Sequence, residues 1–226
     1  MQDDERRKIM KKIITILLVA LSITMSAACT NKSEESKMTQ SSLSVFQVQA
    51  DESLFQKVCS ADEALAEAKK SNTVVFETHG CSSGKKVWKQ FYDAVTAGTP
   101  ASVLCADYYV LDRAHVSNEL YEQEKDDYPV LYFSLIEYNG KEFTISTRNS
   151  TSSEIESKKT YKYLLHMTGQ APELSMIKEY DRYVLANDHT LTWEKIEHSL
   201  FSSQSQDWID FNDVYHDFDN FYGDDV

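Results

Sequence analysis

No apolar run in this chain is long enough to cross a membrane. The longest, IITILLVALSITM from Ile13 to Met25, has 13 residues, where a spanning helix needs about 20. Basic side chains are also outnumbered: 23 Lys and Arg against 36 Asp and Glu give a net charge of −13 over 226 residues. Such a field repels a phosphate backbone and argues against nucleic acid as a partner. Four cysteines cannot build a dense disulfide framework. Glycine (six) and proline (three) are scarce, so each one present is informative punctuation. No G-x-S-x-G, Walker A, G-x-G-x-x-G or H-E-x-x-H pattern occurs.

The N-terminus carries the clearest signal. Arg6, Arg7, Lys8, Lys11 and Lys12 precede the short apolar run, which ends in Ser26-Ala27-Ala28-Cys29. A basic segment, a short apolar stretch and small residues before a cysteine describe an export signal with a lipobox. Residues 1–28 are therefore expected to be a lipoprotein signal, with Cys29 the lipidated residue and no other anchor needed. The acids Asp3, Asp4 and Glu5 are unusual in a signal, and a start at Met10 would give a more ordinary one. Removing residues 1–28 takes away five basic and three acidic side chains and leaves a net charge of −15. That acidity disfavours docking on anionic lipid, so the acyl chains would hold the protein at the extracytoplasmic face of the membrane. Residues 29–52 include Thr30 to Ser44, with five serines and two threonines, and read as a flexible tether.

Residues 53–206 read as a single compact α+β domain, a mostly antiparallel sheet with two or three packed helices. The 198 residues from Cys29 onward suffice for one core without staples. Ser60-Ala61-Asp62-Glu63 is a capping box opening a helix to about Ser71. The β-branched and apolar Thr73 to Thr78 suits a buried strand. His79 to Gly84 reads as a turn, and Lys85 to Ala97 as a helix stopped by Gly98 and Pro100. Ala101 to Leu111 is apolar on both faces and suits a central strand. The stretch before Pro129 suggests a short exposed helix. Asn139-Gly140 between Tyr132–Tyr138 and Lys141–Thr147 predicts a two-residue hairpin, with Ile136 facing Phe143 and Ser134 facing Ile145. Tyr161–Met167 and Tyr180–Leu185 suggest further strands, and Thr192–Phe201 a helix. Residues 207–226, with interleaved aspartates and aromatics, read as an acidic tail, packed loosely or disordered.

Candidate chemistry is sparse. Cys81, between a strand and a helix, stands where thioredoxin-like redox sites place a thiol, with His79 nearby. Tyr128-Pro129 before a strand resembles that fold's cis-proline. Position 84 is Gly, so no C-x-x-C pair exists. A thiol-dependent oxidoreductase using Cys81 is thus the alternative reading. The single histidines do not form a metal set, and Asp217 and Asp219 lack the spacing of a calcium loop. No cofactor or metal is expected. Tyr108, Tyr132, Tyr138 and Tyr161, with Tyr109 and Tyr163, are candidates for a peptide- or carbohydrate-binding face, although strand packing is the readier reading of tyrosines so placed. A solute receptor of the two-lobed kind would need a longer chain.

Several blocks together carry a family resemblance. They are Glu77 to Val95, Gly98 to Val103, Ala106-Asp107-Tyr108-Tyr109, Tyr128 to Phe133, Glu137 to Lys141 and Lys159 to Leu164. With Thr192-Trp193-Glu194 and Ser202 to Ser205, they resemble a family of small lipoproteins of Gram-positive, largely gut-dwelling bacteria, a domain of unknown function. The likeness covers most of residues 53–215. It implies a compact α+β fold and a lipid-anchored location, fixes no cysteine at residues 79–83, and brings no activity or ligand. The leading expectation is a non-enzymatic module that binds a protein, peptide or envelope component.

Overall fold

A computed structural model of the chain describes residues 48–78, 80–171, 178–202 and 208–217. These described residues cluster as one compact unit. Cys29, His79, the signal, most of the tether and half of the acidic tail lie outside the described residues.

In chain order the elements are α1 (Glu52–Gln56), α2 (Ala61–Ala68), β1 (Thr73–Glu77), β2 (Gly80–Ser83), α3 (Lys85–Thr96) and β3 (Ala101–Tyr109). There follow α4 (Asn118–Glu124), a 3-10 turn (Lys125–Asp127), β4 (Val130–Tyr138), β5 (Phe143–Asn149), β6 (Ser157–Tyr161) and β7 (Tyr163–Gln170). The last three are β8 (Glu179–Ala186), α5 (Trp193–Phe201) and β9 (Phe211–Asp217). The nine strands form one sheet in the order β6-β5-β4-β3-β1-β2-β9-β8-β7. Every pairing is antiparallel except β1 with β3. The class is α+β as expected, with five helices among the described residues rather than two or three. None of these helices is long and apolar enough to cross a membrane.

The central strands are buried on both faces because they carry apolar side chains at consecutive positions. Val75, Leu104, Ala106, Leu131 and Phe133 pack on one side against Leu54, Phe55, Ala61, Ala64 and Ala68 of α1 and α2. Val74, Phe76, Val103, Cys105 and Ile136 pack on the other against Trp88 and Phe91 of α3. A third cluster joins Met167, Val184 and Ala186 to Ile196 of α5. The capping box forms as read, with Glu63 N–H donating to Ser60 Oγ and Ser60 N–H to Glu63 Oε2 at 3.2 Å.

Three expectations need correction. The stretch 80–83 is strand β2, folded back on β1, and not a turn. It enters α3 through Gly84 at φ +84°, where an added Cβ would lie 2.3 Å from Thr73 O; only glycine fits so close to β1. The hairpin loop has four residues, because Asn139 Oδ1 accepts from Lys141 N–H and Glu142 N–H at 2.9 and 3.0 Å. Tyr138 therefore pairs with Phe143 and Ile136 with Ile145. The register differs from the expected one by two residues, which leaves every side chain on its expected face. Finally, Phe211–Asp217 of the supposed tail is strand β9, paired with both β2 and β8. Its Val214 and Tyr215 are core residues, 5% exposed each, so burial outweighed the aspartates around them.

The sheet curls strongly. Cys105 Sγ on β3 lies 3.8 Å from Val214 O on β9, although β1 and β2 stand between these strands in the order. At the edge strand β6, Tyr161 Oη donates to Asp210 at 3.2 Å and Lys159 pairs with it at 2.8 Å. The result is a concave face with α3 against it and β9 drawn across β3.

Candidate functional site

Strands β1 and β3 run parallel, so their carboxyl ends lie side by side. Open sheets place ligands at such ends, where the chain leaves the sheet and side chains face a crevice. Here a cleft of about 270 Å³ is lined by Phe76, Glu77 and Thr78 from β1 and the turn after it. Asp107, Tyr108, Tyr109 and Val110 from β3 complete it with His216 from β9.

Alternation along β3 puts Asp107 in the same row as Val103 and Cys105, facing the concave side, directly across from Phe76. Among the described residues its half-buried carboxyl group has no hydrogen-bond or ion-pair partner. Burial, reinforced by the charge of Asp213, pushes it up to about 7. Asp213 on β9 is itself pushed up to about 6 by burial, against the pull of Arg182 on β8. One Asp213 oxygen pairs with Arg182; the other, Oδ1, is buried with no hydrogen-bond partner among the described residues. Arg182 also lies over the Trp193 ring at 4.1 Å.

Aromatic rings form the walls. His216 stacks on Phe76 with centroids 4.6 Å apart and planes at 23°, and Tyr215 meets Phe76 edge-on at 5.6 Å. Burial, with help from Arg182, lowers His216 to about 4, so the imidazole is neutral at pH 7. Tyr109 meets Tyr132 edge-on at 6.3 Å, and burial beside Asp107 and Asp213 holds its hydroxyl up at about 12. A bulge in β9 makes this gathering possible. Val184 pairs with Asp213 and Tyr183 with Tyr215, so Val214 is the extra residue. Strict alternation would send Asp213 and His216, three apart, to opposite faces; the bulge rephases the strand so that both lie on one face, opposite Val184 and Arg182.

The residues singled out from the sequence fall elsewhere, with two exceptions. Tyr108 and Tyr109 line the cleft, and Tyr108 donates to Asp62 at 2.7 Å on the α2 side of the sheet. Tyr132 lies beside Tyr109 on the concave side. Tyr138 stacks on Phe143 at 4.6 Å, and Tyr161 is 0% exposed in the core. The four tyrosines therefore do not share a binding face. Cys81 sits within β2, 6% exposed, with its thiol donating to Ser83 O at 3.2 Å. Burial pushes it up to about 11, the reverse of the depression that activates a thiol. Cys59, Cys81 and Cys105 are all free. Tyr128-Pro129 is cis, but β4 after it pairs with β3, and β1 lies between β3 and β2. Strand β1 thus has no neighbour carrying the cis-proline, and the redox arrangement does not assemble around it. Asp217 pairs with Lys85. No three His, Cys, Asp or Glu side chains converge as metal ligands among the described residues.

Asp107, Asp213, Arg182, His216 and Phe76 went unnoticed in the sequence. A signal existed: Asp107 is a lone acid in ASVLCADYYVL, a segment otherwise suited to a buried strand. A charge in such a place costs free energy unless something compensates it.

Fold and cleft together define an α+β domain with a recess of carboxyl and aromatic side chains at the ends of its two parallel strands. No protein-family model, curated protein or solved structure matches the chain.

Proposed function

We propose that this protein is a lipid-anchored binding module on the extracytoplasmic face of a membrane, held through Cys29 and acting by recognition rather than catalysis. The cleft at the ends of β1 and β3 is its recognition site. The observation that carries this reading is Asp107, a recessed carboxyl group without a partner among the described residues, set between aromatic walls. A folded chain tolerates such a group at a cost in stability, and under-satisfied polar groups concentrate where ligands bind. The basic segment, the 13-residue apolar run and Ser26-Ala27-Ala28-Cys29 support the anchor. So does the resemblance to small lipoproteins of Gram-positive bacteria. Protein, peptide and envelope components are the partners within reach of such an anchor, and nucleic acid is disfavoured by charge.

A photo-crosslinking amino acid at Tyr109, in the full chain expressed in its native envelope, tests the site. Metabolic labelling with an alkyne fatty acid tests the anchor. The proposal expects a discrete crosslinked product at Tyr109, absent with the probe at exposed Asp126, and fatty-acid labelling lost in Cys29→Ala. Equal crosslinking at both positions would remove the cleft from consideration, and labelling that survives Cys29→Ala would remove the anchor.

A further inference from the structure

We propose that the cleft binds a primary ammonium group, seated against the Asp107 carboxylate and walled by the rings of Phe76, Tyr109 and His216. This deepens the reading of the cleft as a recognition site and rests on it.

The charge of the recess selects the ligand's sign. Asp107 and Glu77 line it, and Asp213 stands close enough to raise Asp107 and Tyr109. The cations around it are committed elsewhere: Arg182 to Asp213 and the Trp193 ring, and Lys69 to Glu77 at 2.7 Å. Asp107 is left as the acceptor to be satisfied. An anion would meet these carboxylates, whereas a cation relieves them and gains from the net charge of −13 in its approach.

The walls select the kind of cation. Aromatic faces attract ammonium groups through the ring quadrupole, and a neutral His216 adds a ring without adding a repelling charge. A hard metal ion would need several oxygen ligands converging, and the described residues bring no such group together. Size narrows the choice further. Sites for drug-sized ligands run from about 300 to 1,000 Å³, so a cleft of about 270 Å³ takes one end of a ligand. That end is an alkylammonium, supplied either by a free small amine or by a lysine side chain on a peptide or protein.

Binding carries a proton signature. The titratable groups around Asp107 are Cys105 and Tyr109 on β3 and Asp213 on β9, with His216 and Glu77 lining the same cleft and Arg182 on β8 paired with Asp213. A cation placed against Asp107 favours its charged form. Near pH 6 the complex should therefore release a proton as the carboxyl group ionises.

The test uses the full chain in a neutral detergent, titrated by calorimetry and carboxyl-detected NMR. The probes are n-butylammonium, a blocked Ala-Lys-Ala peptide and its norleucine counterpart. The proposal expects one or both amines to bind with a shift of the Asp107 carboxyl signal. Asp107→Asn should weaken binding at least tenfold, while Asp126→Asn on the exposed 3-10 turn leaves it unchanged. Heats that vary with buffer ionisation would report the released proton. Tighter binding of the lysine peptide identifies a polypeptide source, and tighter binding of butylammonium a free amine. Equal binding to Asp107→Asn, with its fold verified by NMR, overturns the proposal. So does an absence of binding by both amines. In that event a discrete crosslink at Tyr109 would still uphold the recognition site, and only the ammonium assignment would fall. Binding of the norleucine peptide as tight as that of the lysine peptide would likewise remove the ammonium.

Discussion

Two buried charges in this domain are treated in opposite ways. Arg148 on β5 is 1% exposed, yet every part of its guanidinium is served. Nε donates to Phe55 O. Nη1 donates to Asn149 O and Ser152 O at 2.8 Å and to Ser150 O at 3.4 Å. Nη2 donates to Lys57 O at 2.5 Å and Leu54 O at 3.3 Å. The rings of Phe55 and Phe133 stand 5.4 and 5.2 Å from its central carbon. A ring of carbonyl dipoles takes the place of a counter-ion, and it ties α1 to the turn between β5 and β6. Asp107, less deeply buried, has no such partner among the described residues. The contrast separates two uses of a buried charge. A satisfied one holds architecture together; an unsatisfied one keeps its interaction for something that arrives.

The contrast breaks first at Arg148. Arg148→Met keeps much of the apolar stem and strands six carbonyls, so unfolding free energy should fall by about 3–5 kcal/mol. Urea denaturation measures this, and a loss under about 1 kcal/mol would mean that the carbonyl ring is decoration. Asp107→Asn should act in the opposite direction. The Asp107 carboxyl group titrates near 7 in the folded protein and near 3.8 in the unfolded chain. Between those values the folded state holds a proton that the unfolded state has lost, so this group lowers stability as pH rises. The amide removes that penalty. The variant should gain about 1–3 kcal/mol at pH 8 and nothing at pH 3.5. A gain independent of pH would point to packing instead of charge. His216 has the reverse linkage: at about 4 against 6.5, it costs stability as pH falls through that window. The two slopes oppose each other in the native protein, so Asp107→Asn should also uncover an acid-side loss of stability.

How legible these two charges were follows from what surrounds them. Helices α2 and α3, β1, β3 and the β4–β5 hairpin were readable because local chemistry fixes them: a capping box, Gly98 and Pro100, a β-branched run, Asn139-Gly140. Strands β2 and β9 were not, since their burial comes from partners far along the chain. Gly80 pairs with Asp217, 137 positions away. Without that pairing, Phe211–Asp217 shows alternating acids and aromatics and looks like a tail. The cleft depends on this same strand. Asp213 approaches Asp107, and His216 joins its cleft, through the β9 bulge and the curl of the sheet, and neither leaves a trace in local sequence. Arg148 was hidden for a similar reason, because its partners are backbone carbonyls that any residue would supply.

The smallest effect concerns the thiols, and it tests whether burial or position governs Cys81. Position favours reactivity, since Cys81 lies four residues before the start of α3. Burial opposes it, holding the thiol at about 11, and burial also pushes Cys105 on β3 well above its ordinary value. Cys59 is the most exposed of the three, and burial raises it as well. At pH 8 alkylation should therefore mark Cys59 first, with Cys81 and Cys105 protected until urea opens the sheet. Mass spectrometry of each peptide against time resolves the order. Rapid labelling of Cys81 in the native state would show that β2 leaves the sheet edge of β1 far more often than its pairing implies. The thiol reading would then return through dynamics rather than through the folded geometry.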